Sequence, residues 1–198
     1  IDYVNKNFLI QLEGYYNHIN NFIYLKPSIP ATLTIKGAFP TFNYTQVDAA
    51  LTGFDLKMSY QLTKHLTWIG KTSFLNAYNI SANEWLVGMP ANRFENVLEF
   101  NLKKFKKLTD FYVEAGFQNI LRQNHIPDNS DYLVPPESYN LLRAGLGFGF
   151  PIAKKQKLVV NFEVKNLLNT AYRDYLNRFR YYADEMGRNY TLKLKLTF

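Results

Sequence analysis

Asn189-Tyr190-Thr191-Leu192-Lys193-Leu194-Lys195-Leu196-Thr197-Phe198 closes the chain, and its alternation decides the fold. Successive side chains of an extended chain point to opposite faces. Tyr190, Leu192, Leu194, Leu196 and Phe198 therefore share one face, while Asn189, Thr191, Lys193, Lys195 and Thr197 share the other. A closing strand of a soluble sandwich has the same period, but it does not normally stop the chain on an aromatic at the last apolar position. One oily side and one wet side are the marks of a strand that spans a membrane as part of a barrel.

The same period runs backward through the chain. Leu158, Val160, Phe162 and Val164 alternate with Val159, Asn161, Glu163 and Lys165; Phe111, Val113, Ala115 and Phe117 alternate with Tyr112, Glu114, Gly116 and Gln118. Leu98, Phe100 and Leu102 oppose Glu99, Asn101 and Lys103, and Phe54, Leu56, Met58, Tyr60 and Leu62 oppose Asp55, Lys57, Ser59 and Gln61. The spacing predicts eight strands, near 6–24, 45–62, 66–78, 92–103, 109–122, 139–150, 157–168 and 188–198. Connections at 63–65, 104–108 and 151–156 are turns, whereas those at 25–44, 79–91, 122–138 and 169–187 are long and carry Pro, Asn, Asp, Tyr and Trp85. Short turns at one rim and long loops at the other match the periplasmic and extracellular ends of an outer-membrane barrel. The fold class expected is all-β, an antiparallel transmembrane β-barrel.

Composition narrows the function. Aromatics make up 17% of the 198 residues, yet mean hydropathy is −0.26, which suits a wall wet on one side and lipid-bound on the other. No stretch approaches the roughly 18 apolar residues of a spanning helix, which leaves strands as the way across. The chain has no cysteine, so disulfides and thiolate chemistry are excluded. Its net charge of +7 is dispersed over turns (Lys103, Lys104, Lys106, Lys107; Lys154, Lys155, Lys157) and wet strand faces (Lys57, Lys71, Lys165, Lys193, Lys195), with no recognition helix or aromatic-basic motif, so no nucleic-acid partner is expected. Ile1-Asp2-Tyr3-Val4-Asn5 lacks the basic start and apolar core of a leader. A mature product or a fragment is the expectation.

Chemistry-bearing motifs are sparse. His18, His65 and His125 lie on a strand, a turn and a long loop without ligand spacing, and no metal or cofactor is expected. Gly145-Leu146-Gly147-Phe148-Gly149 sits within a strand rather than before a helix, so the glycines are read as close packing against whatever fills the interior. Asp128-Asn129-Ser130-Asp131 reads as a turn; it lacks the Gly and distal Glu of a calcium loop. Asn76, Tyr78, Asn83, Trp85 and Asn92 suit either ligand stacking or an aromatic girdle. No catalytic constellation is present, and no enzymatic activity is expected.

Val164-Lys165-Asn166-Leu167-Leu168-Asn169-Thr170-Ala171-Tyr172, continued by Tyr175-Leu176 and by Gly187-Arg188-Asn189-Tyr190 to Phe198, resembles the C-terminal signature of TonB-dependent outer-membrane receptors. Met186 stands where that family often has proline before the Gly-Arg pair, and Gly187 keeps the flexible position. The resemblance marks Asn166, Leu167, Asn169, Tyr172, Gly187 and Arg188 as signature residues. It implies that residues 1–198 are the closing third of a barrel of about 22 strands, with the plug domain and earlier strands absent.

The resemblance also implies the function and partners of the whole receptor: active uptake of a scarce nutrient, a ferric siderophore or other iron complex before others, across the outer membrane of a Gram-negative bacterium. Implied partners are outer-membrane lipid, the small-molecule ligand, the TonB energy-coupling complex acting through the plug region, and the barrel-assembly machinery. Tyr190, Leu192, Leu194, Leu196 and Phe198 would face lipid and form the assembly signal. Two other arrangements share the period. One is a self-contained eight-stranded outer-membrane barrel with a structural, adhesive or lipid-modifying role; the other is a soluble lipocalin-like barrel with its apolar face turned inward.

Overall fold

A computed structural model describes residues 1–153 and 156–198, which leaves Lys154 and Lys155 of the basic turn outside the described residues. The strands in chain order are β1 (Asp2–Asn5), β2 (Phe8–Pro27), β3 (Thr32–Thr34), β4 (Gly37–Phe39), β5 (Phe42–Gln61), β6 (Leu66–Asn79), β7 (Glu84–Trp85), β8 (Arg93–Phe105), β9 (Leu108–Ile120), β10 (Tyr139–Ala153), β11 (Gln156–Lys165) and β12 (Asn189–Thr197). All but β3 and β4 join one ten-stranded sheet in the order β1-β2-β5-β6-β8-β9-β10-β11-β12, with β7 added beside β6. Every pairing is antiparallel.

Each of the eight expected strands is present. The additions are β1, a short hairpin partner of β2, and β7. The 25–44 connection is shorter than expected because β2 and β5 remain paired to Pro27↔Phe42, and the separate β3–β4 hairpin folds inside it. Among the described residues β1 and β12 do not pair, so both edges of the sheet are open.

Pairing registers collect the alternating residues into two continuous faces. One apolar row runs Phe8, Tyr60, Trp68, Leu98, Ala115, Ala144, Val164 and Tyr190; the next runs Phe100, Val113, Leu146, Phe162 and Leu192. Apart from Val164, which is buried at 6%, these residues are half-buried or exposed: Phe100 is 37% exposed and Leu192 62%. Along β10 the apolar face extends from Leu142 to Phe150, about 26 Å of strand at roughly 3.3 Å per residue. Tilted at about 40°, that length approaches the outward apolar band of a membrane barrel, about 25 Å tall.

The opposite face carries Gln11, Lys57, Lys71, Glu95 and Gln118 in one row, and the sheet curves around it. A recess of about 1320 Å³ on this face is lined by residues that include Gln11, Glu13, Asp55, Lys57, Lys71, Arg93 and Glu95. A lipocalin-like arrangement requires the apolar face inside, whereas the recesses here open among polar-face residues, a second one of about 250 Å³ lying between Tyr112, Glu114, Asn161, Glu163 and Lys193. Among the described residues the close-packed apolar cluster lies at the long-loop rim, where the 80–92 loop folds back onto the polar face and packs Leu86 and Val87 against Tyr24, Ala49 and Ala77.

The short turns are set by local chemistry. Thr63 Oγ1 accepts from His65 N (3.2 Å) and Leu66 N (3.1 Å), closing the β5–β6 turn. Lys106 takes φ 56° in the two-residue link between Phe105 and Leu108.

Candidate functional site: a loop platform above a polar wall

Polar side chains on the concave wall reach one another by crossing strands. Arg143 of β10 pairs in register with Gly116 of β9. A Cβ at Gly116 would lie 2.8 Å from Arg143 Nε, so glycine leaves the corridor through which the guanidinium reaches Glu95 of β8 (Nη2 to Oε1, 3.1 Å) while also bonding Glu114 of β9. Lys71 Nζ closes the chain of charges on Glu95 Oε2 at 3.3 Å.

The glycine stripe of β10 works the same way. Tyr112 crosses Gly147 to donate its hydroxyl to Asn161 Oδ1 (3.2 Å), and Lys157 crosses Gly149 to reach Asp110. The stripe was expected to pack against an interior filler. Among the described residues, the side chains of Glu114, Tyr112, Asn161 and Lys157 lie against the stripe.

Four long loops, at 28–41, 80–92, 121–138 and 166–188, interlock at the other rim. Tyr132 OH accepts from Thr41 N (2.9 Å) and donates to the Ser28 or Thr41 carbonyl, binding the third loop to the first. Gln123 Nε2 donates to the carbonyls of Met89 and Pro90, each at 3.1 Å, binding the third to the second. Gly88 N donates to Tyr175 OH at 3.3 Å, and Gly88 holds φ +73°, which glycine adopts without strain.

At the centre is the ion pair of Arg180 and Asp131, whose side chains are 2% and 7% exposed. Arg180 sits in a 3-10 turn, Arg178–Tyr181, which the Asn177 side chain caps by accepting from Phe179 N. Tyr181 donates its hydroxyl to Asp131 Oδ1 at 2.6 Å. Arg180 also stacks on the rings of Tyr181 (4.7 Å) and Tyr175 (5.1 Å).

Burial, reinforced at Tyr181 by its hydrogen bond to the Asp131 carboxylate, raises the hydroxyl pKa values of Tyr181 and Tyr175 above the ordinary 10.0. Asp131 thus belongs to a structural clasp, and Asp128–Asp131 forms the expected turn, with Ser130 Oγ donating to Pro127 O at 2.6 Å. Beside the clasp a recess of about 220 Å³ is lined by Tyr24, Phe42, Met89, Tyr175, Arg178 and Tyr181. Arg178 lies 4.5 Å above the Phe42 ring there. An arginine above aromatic walls suits a flat or anionic ligand. Sequence reasoning missed Phe42, Arg178 and Tyr181; the aromatic-basic density of 172–182 was the signal for the last two, and nothing local marked Phe42.

Of the loop residues singled out from sequence, Trp85 is half-buried against its own chain: it meets Tyr78 edge-on at 5.3 Å and stacks on His125 at 4.6 Å. Tyr78 OH donates to Asn83 Oδ1 (2.8 Å), and Asn92 Oδ1 accepts from Leu75 N (3.1 Å). Asn76 is on the apolar face of β6, opposite Thr52. His18 bonds Asn20, and His65 Nδ1 meets Asn101 O, so the three histidines remain far apart in the fold.

The signature residues form a knot where β11 ends and β12 begins. Asn166, 5% exposed and at φ 47°, accepts from Thr170 N (2.8 Å) and donates to Thr170 O (2.9 Å). Leu167 N donates to Leu142 O, and Tyr172 packs its ring on Tyr139 at 4.5 Å. Asn169 Oδ1 accepts from Arg188 N at 2.9 Å, and a Cβ on Gly187 would lie 2.6 Å from that oxygen. Gly187 was expected to supply flexibility; close approach is its role in the structure, with no positive φ at that position. Tyr190, Leu192, Leu194 and Leu196 line the outer face of β12, and Phe198 follows, 90% exposed.

A family model described as TonB dependent receptor-like, beta-barrel matches residues 1–167. No curated protein matches. Among solved structures, Copper transporter OprC aligns with TM-score 0.76 at 19% identity, covering 100% of this chain and 30% of that one. The FrpB iron transporter from Neisseria meningitidis aligns at 0.69 with 14% identity, over 99% and 29%. BauA, the ferric preacinetobactin receptor from Acinetobacter baumannii, aligns at 0.68 with 16% identity, over 100% and 28%. At these identities the likeness is one of fold, and the chain spans less than a third of each structure's length.

Proposed function

The chain belongs to the TonB-dependent receptor-like β-barrel family, and from that premise we propose that residues 1–198 are the C-terminal portion of an outer-membrane importer's barrel. The plug domain and N-terminal strands lie outside these residues, and the open edges of β1 and β12 are where the missing wall attaches. Members of the family are outer-membrane proteins of Gram-negative bacteria, and the exposed apolar face of the sheet fits that setting.

The cargo in this reading is a scarce nutrient carried inward with energy from the TonB complex acting through the plug, and a ferric siderophore or other iron complex is the preferred candidate. The observation that carries the reading is a rigid platform of interlocked loops, bearing the Arg178–Phe42 recess, set over a concave polar wall. Two of the three aligned structures named above are an iron transporter and a ferric preacinetobactin receptor, which favours iron over copper. Receptor catalysis has no role in this account.

The test is uptake by cells carrying or lacking the full-length receptor, with labelled ferric siderophores, haem, cobalamin and copper salts supplied singly. Energy-dependent accumulation of a ferric complex only in receptor-bearing cells is the expected result. Equal accumulation of every compound in both strains would remove the transport reading, and copper alone would replace the ligand.

A further inference from the structure

The two rims of the sheet differ in how their charges are used. At the loop rim, Arg122, Arg173 and Arg180 pair with Glu137, Asp184 and Asp131. At the turn rim, residues 6–7, 62–65 and 104–108 contain lysines and no carboxylate. Among the described residues Lys6, Lys64, Lys104, Lys106 and Lys107 make no ion pair. The nearby Asp110 is already bonded to Lys157.

These cations stand just beyond an aromatic belt. Phe8 and Tyr60 meet edge-on at 6.0 Å, and the tilted rings of Phe105 and Phe111 lie 5.4 Å apart. Trp68 lies on the apolar face with its indole Nε1 donating to Asn96 at 3.2 Å. Lys104 continues the apolar face of β8 one step past Leu102, and the Lys106 ammonium is 5.7 Å from the Phe105 ring.

We propose that the turn rim is a docking surface for anionic phospholipid headgroups of the leaflet it meets, a step that rests on the membrane-spanning reading above. Aromatic rings settle at the boundary between hydrocarbon and headgroups, so ammonium groups just outside them reach phosphate depth on flexible stems. Lysine suits this contact because its compact charge follows a mobile headgroup, whereas the rigid guanidinium fork suits the fixed carboxylates of the loops. Unmatched cations at such a depth attract anionic lipid in proportion to their number. An acidic protein would use the lysines but has no use for the adjoining belt.

The experiment uses the full-length receptor in bilayer discs containing phosphatidylglycerol and phosphatidylethanolamine, with bound lipid quantified after mild detergent exchange. It compares wild type with a variant carrying Lys64→Gln, Lys104→Gln, Lys106→Asn and Lys107→Gln; asparagine at 106 tolerates the left-handed backbone there. The expected result is enrichment of phosphatidylglycerol over phosphatidylethanolamine by about an order of magnitude in wild type. That enrichment falls toward unity in the variant and in high salt, while heat-modifiable mobility is retained. Equal retention of both lipids by both inserted proteins would overturn the proposal and leave the membrane reading standing. Displacement of phosphatidylglycerol by free phosphate at matched ionic strength would overturn it in favour of a soluble-anion site. Failure to insert into any disc would sink both.

Discussion

Arg180 and Asp131, forty-nine residues apart in sequence, form an ion pair almost sealed from solvent between the third and fourth loops. A buried pair gains little over an apolar contact, but losing one partner strands a charge, at a cost of about 3–5 kcal/mol. Asp131→Ala is therefore expected to loosen the loop platform while leaving the sheet intact. Limited proteolysis of 121–138 and 166–188 should accelerate with unchanged strand content. Unchanged cleavage would show that the clasp does not hold the loops.

Alkaline pH attacks the same platform from another side. Tyr181 and Tyr175 have hydroxyl pKa values raised by folding, so the folded state holds those protons more tightly than the unfolded one. Their contribution is fully present below about pH 10, the ordinary tyrosine value, and is lost as pH rises through the raised folded values. Loop proteolysis and near-ultraviolet dichroism should thus stay flat from neutrality to about pH 10 and change above it. In Tyr181→Phe that alkaline step should shrink; an identical step in the variant would assign it elsewhere.

On the wall, Gly116→Leu should displace Arg143 from its path to Glu95 and destabilise by about 1–3 kcal/mol. Gly14→Ala is the control, since a Cβ there has nothing within 4 Å and the backbone needs no positive φ. Urea unfolding in lipid measures both. Equal stability of the two variants would mean that the corridor over Gly116 is not needed.

On the proposed lipid-facing wall, Leu194 of β12 is costly to charge. At the middle of that apolar row, Leu194→Arg should cost about 2–4 kcal/mol, measured by unfolding from bilayers. A change below about 1 kcal/mol would place this position near the interface.

Deleting Phe198 is expected to lower the amount of assembled receptor at the surface if the terminal row serves as the assembly signal. Heat-modifiable electrophoretic mobility and surface labelling report it. Wild-type levels of both would remove that role from Phe198.

Much of this architecture was legible because a strand exposed to different media on its two faces writes its period into the sequence; Phe111–Gln118 and Asn189–Phe198 are plain examples. Turn and loop lengths gave the two rims for the same reason. Which face lies inside was not legible, because alternation is symmetric and only the curvature breaks the tie. The cross-strand role of Gly116, Gly147 and Gly149 depends on register between strands, which no local pattern encodes. The Arg180–Asp131 clasp escaped for a similar reason: its partners meet only when two long loops fold together, and Asp131 alone reads as an ordinary turn residue.

The central claim is that Leu194 faces hydrocarbon while Lys193 faces the aqueous interior of a membrane barrel. The 198 residues contain no cysteine, so Leu194→Cys and Lys193→Cys each introduce one spin-label site into this stretch of the full-length receptor in bilayers. The account predicts that oxygen quenches the label at 194 more than a water-soluble nickel chelate does, and that the order reverses at 193. Equal, water-like accessibility at both positions would contradict it.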